Sequence, residues 1–202
     1  MLGSRLAQLA LLVVLSTAVL PPHALAQTSQ PRHNGSSARQ QAATLHQQAQ
    51  AHLLQGRVSQ AVNLLQQAIG VNPYSAYTAT LYNTLGLAYL QANYPQLALV
   101  SFMYASRLQP HYAPYFDNMV KVWQHTQALP EAQVQLEVLT QRSPEDGIAW
   151  YLLGVVYGAQ QDWQLQQQAW RKFLALEPNS PLRNSVCQVV PHCHSRNSNA
   201  LL

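Results

Sequence analysis

Charge is scarce in this chain. Asp, Glu, Lys and Arg make up 9% of its 202 residues, against roughly a quarter in ordinary domains. Eleven bases and seven acids leave a net +4, and no run of Lys or Arg concentrates it. That thinness argues against a nucleic-acid surface, because phosphate contacts supply most of such affinity. Between Gln27 and Phe116 acids are missing altogether, while Arg32, Arg39, Arg57 and Arg107 give +4; from Asp117 to Leu182 seven acids face four bases, −3. An acidic partner would be steered towards the first part, weakly at physiological salt. Cysteine is limited to Cys187 and Cys193. Also missing are Gly-x-Ser-x-Gly, a phosphate-cradling glycine loop and His-Glu-x-x-His. With His46, His52, His111 and His125 scattered, the sequence indicates no enzyme and calls for no cofactor. His52 stands where the repeats described below carry an aromatic, a packing place rather than that of a base.

Long apolar runs are equally few. Leu6 to Leu20 is mostly apolar and spans 15 residues, short of the roughly 20 that a membrane-crossing helix needs. Arg5 precedes it and Ala24-Leu25-Ala26 follows, so residues 1–26 read as a secretory signal cleaved before Gln27. An uncleaved anchor is the other reading. No later stretch is long enough to span, so the mature protein is expected in the periplasm or another extracytoplasmic compartment, with no stable membrane span. From Gln27 to Gln41 the chain is polar, with Pro31 and Asn34-Gly35-Ser36-Ser37, and reads as a disordered arm. Asn34-Gly35-Ser36 matches a glycosylation acceptor on paper.

What the chain does contain is a repeat. Tyr82, Leu85, Gly86 and Tyr89 recur at three- and four-residue spacing, one face of a helix. After Asn93-Tyr94-Pro95, the residues Ala98, Phe102 and Ala105 continue that spacing up to Pro110. Prolines 73, 110, 144 and 178 lie 37, 34 and 34 residues apart. Measured from them, the small residue of each first helix is Ala49, Gly86, Val120 or Gly154, and the place one turn on is His52, Tyr89, Trp123 or Tyr157. Second helices carry Ala61, Ala98 or Ala132 at their small place and Leu65, Phe102, Leu136 or Trp170 at their bulky one. Val120 is large for its place and Gln166 replaces Ala in the last unit, so those two hairpins should pack less regularly. Helices are predicted near 42–54, 58–70, 76–91, 95–108, 113–126, 130–141, 145–159 and 162–176. Ser143 reads as the cap of the seventh, and the extra residues around Tyr74-Ser75-Ala76 should lengthen the third by about a turn.

This pattern resembles the tetratricopeptide repeat, in which aromatic, Leu-Gly, Tyr, Ala, Phe, Ala and Pro stand at fixed offsets within about 34 residues. The resemblance implies an all-α fold: a right-handed superhelical solenoid of four hairpins over 42–178, with approximate repeats 42–75, 76–112, 113–146 and 147–180. A capping helix over 179–190, bearing Leu182, Val186, Val189 and Val190, would cover the last hairpin, with a flexible tail over 191–202. The first helix of each hairpin would line a concave groove that holds partner proteins. By register its candidates are His46 and Gln50, Asn83 and Leu87, Asp117 and Lys121, and Tyr151 and Val155. The carboxylate clamp of some relatives is absent, since His46 and Gln50 hold its first-unit places. Asp117 and Lys121, four apart, can pair with each other. Ile148, Tyr151, Leu152 and Val155 form an apolar strip that could anchor a partner segment.

In the tail, Pro191 breaks the helix between Cys187 and Cys193. That lets the chain fold back, so a disulfide is feasible. Free thiols, or a metal set from Cys187, His192, Cys193 and His194, are the other readings, although that spacing matches no common structural site. The sequence therefore points to a non-enzymatic scaffold or adaptor of the cell envelope. Its alternative is an envelope assembly factor with a metal- or redox-active Cys/His tail.

Overall fold

The computed structural model describes residues 34–73, 75–191 and 193. The signal over 1–26, the arm over 27–33, His192, His194 and the rest of the tail lie outside the described residues. Among the described residues every regular element is helical. In chain order these are α1 (Asn34–Leu54), α2 (Val58–Val71), α3 (Ala76–Gln91), α4 (Pro95–Leu108), α5 (Ala113–His125), α6 (Leu129–Arg142), α7 (Gly147–Ala159), α8 (Trp163–Leu176) and α9 (Arg183–Val186). The chain divides into two compact units, residues 1–101 and 102–202, and passes from one to the other within α4.

In the first unit α1 and α2 form an antiparallel hairpin, α2 packs on α3, and α3 also touches α1. Its core joins Ala42, Ala49, Ala61, Leu65, Ala68, Leu81, Leu85 and Ala88, with Tyr77, Tyr82 and Tyr89 packed against it. The alanines let the backbones approach while the leucines fill the seam; each buried Leu contributes about 1.5–3 kcal/mol. The polar arm is a correction: α1 starts at Asn34, not at 42. Ser36 to Gln41 is rich in Ala, Arg and Gln, all adequate helix formers, and extends a helix that Ala42 anchors in the core. Such a turn carries no apolar period, so periodicity alone misses it. At the next boundary Ser75 caps α3 reciprocally with Thr78. The helix has 16 residues against 13 in α5 and 13 in α7, the extra turn foreseen there.

In the second unit α6 packs on α7, α7 pairs closely with α8, and α5 touches both α6 and α7. Val120 is buried, and α5 meets α6 at few places. The fourth hairpin departs from expectation. Despite Gln166, α7 and α8 pack as tightly as the first hairpin, because Gly158 lies opposite Gln166 and Gly154 opposite Trp170. Two further boundaries need correcting. Ser143 terminates α6, and α7 is capped by Asp146, whose Oδ1 accepts from the Ala149 amide at 3.0 Å. The capping helix over 179–190 is a single turn, α9, between non-helical turns. Leu182, Val186 and Val190 are buried and Val189 is exposed. Pro181 precedes the turn, and the Cys187–Cys193 bond folds the chain back directly after it.

Turns inside the hairpins repeat more faithfully than their sequences do. Gly56, Asn93, Gln127 and Gln161 take positive φ of 73°, 62°, 58° and 65°. After each, a backbone amide reaches back five residues: Arg57 to the His52 carbonyl, Tyr94 to Tyr89, Ala128 to Trp123 and Asp162 to Tyr157. This is the Schellman closure of a helix end. Its recurrence at intervals of 37, 34 and 34 residues matches that of the prolines.

Candidate partner-binding faces

In the first unit the candidate face lies on α1 and α3. His46 is not on its surface: only 6% of it is exposed. Its Nδ1 lies 2.8 Å from the Tyr77 hydroxyl and its Nε2 2.9 Å from Thr84 Oγ1, with the Tyr77 ring edge-on at 5.7 Å. The Thr84 hydroxyl donates its one hydrogen to the Thr80 carbonyl at 3.0 Å. It must therefore accept from His46 Nε2–H, which leaves Nδ1 to accept from Tyr77. The imidazole is thus a neutral bridge between two helices, and burial holds its pKa below the usual histidine value. Burial also pushes the Tyr77 phenol up, an effect partly offset by Arg39. What α1 and α3 offer to solvent is Gln50, exposed, Asn83, half-buried, and Leu87, 44% exposed. His52, in turn, is half-buried, and its Nδ1 accepts from Arg57 Nε at 2.8 Å.

In the second unit the candidates lie on α5 and α7. Asp117 and Lys121 are exposed and Val155 is half-buried. Desolvation raises the Asp117 carboxyl and Lys121 offsets part of the shift, but the Lys121 ammonium is directed to Asn118 Oδ1 at 3.5 Å rather than paired with Asp117. Tyr151 is a correction, with 2% exposure. Phe116 and Phe173 meet its ring edge-on at 5.3 Å each, and Trp170 stacks at 6.2 Å. Trp170 Nε1 donates to the Tyr151 carbonyl at 3.1 Å. Burial, and secondarily the Asp117 charge, push the Tyr151 phenol well above its ordinary value. Leu152 is buried too, and Ile148 and Val155 are half-buried, so the apolar strip is mostly core. Helical register identifies a face but not what lies across from it, and α8 supplies Trp170 and Phe173 there.

Two polar clusters were not singled out from the sequence. Glu137 Oε1 accepts from Tyr157 Oη and from Gln133 Nε2, both at 2.8 Å, which ties α6 to α7. Register placed Tyr157 on its face, but nothing in the pattern marked Glu137 as its partner. At the opposite loops His111 Nδ1 lies 3.1 Å from Ser180 Oγ and 3.4 Å from Glu177 Oε2. Serine and carboxylate address the same ring nitrogen, so the trio lacks the two-sided relay that nucleophilic catalysis requires. Cys187 and Cys193 are bonded, with Cα atoms 5.1 Å apart, which removes both sulfurs from the metal set considered for the tail. Among the described residues no three His, Cys, Asp or Glu gather as a metal site, and no helix is long and apolar enough to cross a membrane.

Neither a protein-family profile nor a curated protein matches this chain. Solved structures do. MamA (residues 41 to end) from Desulfovibrio magneticus RS-1 is 20% identical, over 72% of this chain and 81% of that one, with a TM-score of 0.44. A tetratricopeptide repeat protein from Parabacteroides merdae is 20% identical over 72% and 57%, with a TM-score of 0.46. YrrB, described as a tetratricopeptide protein with an unusual peptide-binding site, is 18% identical over 68% and 70%, with a TM-score of 0.40.

Proposed function

We propose that this chain is an exported, non-enzymatic scaffold whose paired first helices hold segments of partner proteins. The observation carrying this is the face of α1 and α3. Its core side is closed by the Ala- and Leu-rich seam and by His46, while Gln50, Asn83 and Leu87 remain towards solvent without a single charge. The exposed Gln50 amide suits the main chain of an extended segment, and Leu87 suits an apolar side chain. In the second unit Asp117 and Lys121 continue the same register. Export is supported by Arg5, the apolar run and Ala24-Leu25-Ala26, and by the Cys187–Cys193 bond, which belongs to oxidising compartments.

A photo-crosslinking residue placed at Leu87, and separately at Val134 on exposed α6 surface, tests the binding face in intact cells. Defined adducts at position 87 and none at 134 are expected, weakened by Gln50→Ala. Equal labelling at both positions would end the assignment. Amino-terminal sequencing of the mature protein should begin at Gln27; a first residue of Met1 overturns the cleaved signal.

A further inference from the structure

Unit one contains a buried titratable group with nothing to balance it. His46 spans α1 and α3 with both ring nitrogens committed, Nε2–H to Thr84 and Nδ1 accepting from Tyr77. A second proton at Nδ1 would force the Tyr77 hydroxyl to reverse from donor to acceptor and turn its own hydrogen elsewhere. It would also need a counter-charge. From α1 the titratable or charged groups are Arg39 and His52; α2 contributes none; α3 contributes Tyr77, Tyr82 and Tyr89. None of these is an acid, and no carboxylate side chain occurs anywhere before Asp117. The full charge that acts on Tyr77 in this network is Arg39, of the same sign as an imidazolium.

We propose that His46 is a pH-operated latch: neutral, it holds α1 beside α3, and on protonation it releases them, dissolving the face that carries Gln50, Asn83 and Leu87. The device rests on the scaffold function proposed above, and it would make that scaffold let go of its partner in acid. The sign follows from linkage. A histidine whose folded pKa lies below its unfolded value gives its full stabilisation above the unfolded value, near 6.5, and loses it as pH falls beneath that point. The direct contact between α1 and α3 is narrow, so the bridge is a substantial part of what joins them, whereas α1 and α2 are held along their length by the apolar seam.

Hydrogen exchange of the full chain at pH 7.5 and 5.5, corrected for intrinsic rates, reads the latch by helix. In the wild type, protection of α1 and α3 should fall, by up to about tenfold, the limit set by one pH unit below the unfolded pKa. In His46→Gln, which keeps one donor and one acceptor but cannot titrate, it should hold within about twofold over the same range. Equal losses in both proteins overturn the proposal. Should His46→Gln fail to fold at pH 7.5, the wild-type imidazole decides by nitrogen chemical shift: a ring that stays neutral until the α1 and α3 amides open supports the latch. A ring that titrates near 6.5 with those amides still protected overturns it. Neither readout involves a partner, so a failed latch leaves the crosslinking result standing, and a failed crosslink leaves the latch intact.

Discussion

Four residues in the hairpin turns occupy the left-handed region, and only one of them is glycine. Gly56 sits at φ 73° with nothing within 4 Å of where a Cβ would be. Replacing it by Ala therefore tests conformation without a clash, and Gly56→Ala should cost about 1 kcal/mol. Gln161 at φ 65° and Gln127 at φ 58° already bear the corresponding cost. Gln161→Gly should raise stability by about 0.5 kcal/mol, the relief of left-handed strain less the entropy that glycine loses on folding. Asn93→Gly should gain least, because Asn tolerates this region. Urea midpoints at constant slope measure all three, and a destabilised Gln161→Gly would refute the reading of those turns as strained. Of the four hairpin turns, the second showed in the sequence as the break at Asn93-Tyr94-Pro95, and Gly56 in the first is itself a turn-forming residue type. Glutamine carries no turn signal, so the backbone identity of the other two was not legible.

Between elements, the fourth hairpin shows how a repeat survives the loss of its own small residue. Gln166 stands where Ala61, Ala98 and Ala132 stand in the other units, and Gly158 stands where Leu53, Leu90 and Gln124 do. Large and small have changed sides across one helix interface. A Cβ at Gly158 would lie 2.1 Å from Gln166 Nε2, and Gln166 Oε1 is buried without a hydrogen-bond partner. The Gln166 amide is the end of a flexible side chain and Ala gains about 0.5–1 kcal/mol of helix propensity over Gly, so Gly158→Ala should cost at most about 1 kcal/mol net, and combining it with Gln166→Ala should turn that loss into a gain. Additive effects in the cycle would show that the exchange is coincidental. Gly154→Ala should be harder to rescue. Its Cβ would lie 2.3 Å from two indole atoms of Trp170, a rigid ring pinned by its N–H to Tyr151, so a loss at the upper end of roughly 1–3 kcal/mol is expected and Gln166→Ala should leave it unchanged. The sequence displayed the periodic positions, since spacing alone encodes them. What it could not display was the opposing partner, and on that account Gln166 looked like a defect and Tyr151 like a surface residue.

Over the whole molecule, stability is expected to be local, because stacked hairpins are stabilised chiefly by their neighbours and the ends need covering. The order of the hairpins and most helix ends were legible in the repeat, whereas the first turn of α1 and the collapse of the capping helix to α9 were not: one lacks an apolar period and the other depends on prolines and a covalent link. That link joins Cys187 to Cys193 across six positions. Around it Leu182, Val186, Val190 and Cys193 are buried, and Arg183 donates to the carbonyls of Pro178 and Cys193. Beyond the single helical turn, the backbone hydrogen bonds of this stretch are short-range closures over three or four residues, such as Val190 to Val186. Closing so short a loop should supply about 2 kcal/mol by restricting the unfolded chain. Replacing both cysteines by serine should therefore lower the stability of the second unit by about that amount, with hydrogen-exchange protection falling in α7, α8 and α9. The same measurement should find α1 and α2 unchanged, since their seam of Ala42, Ala49, Ala61 and Leu65 is complete without the tail. Protection lost equally from α1 to α8 would instead mean that the chain unfolds as one cooperative body, and that its terminus governs every hairpin.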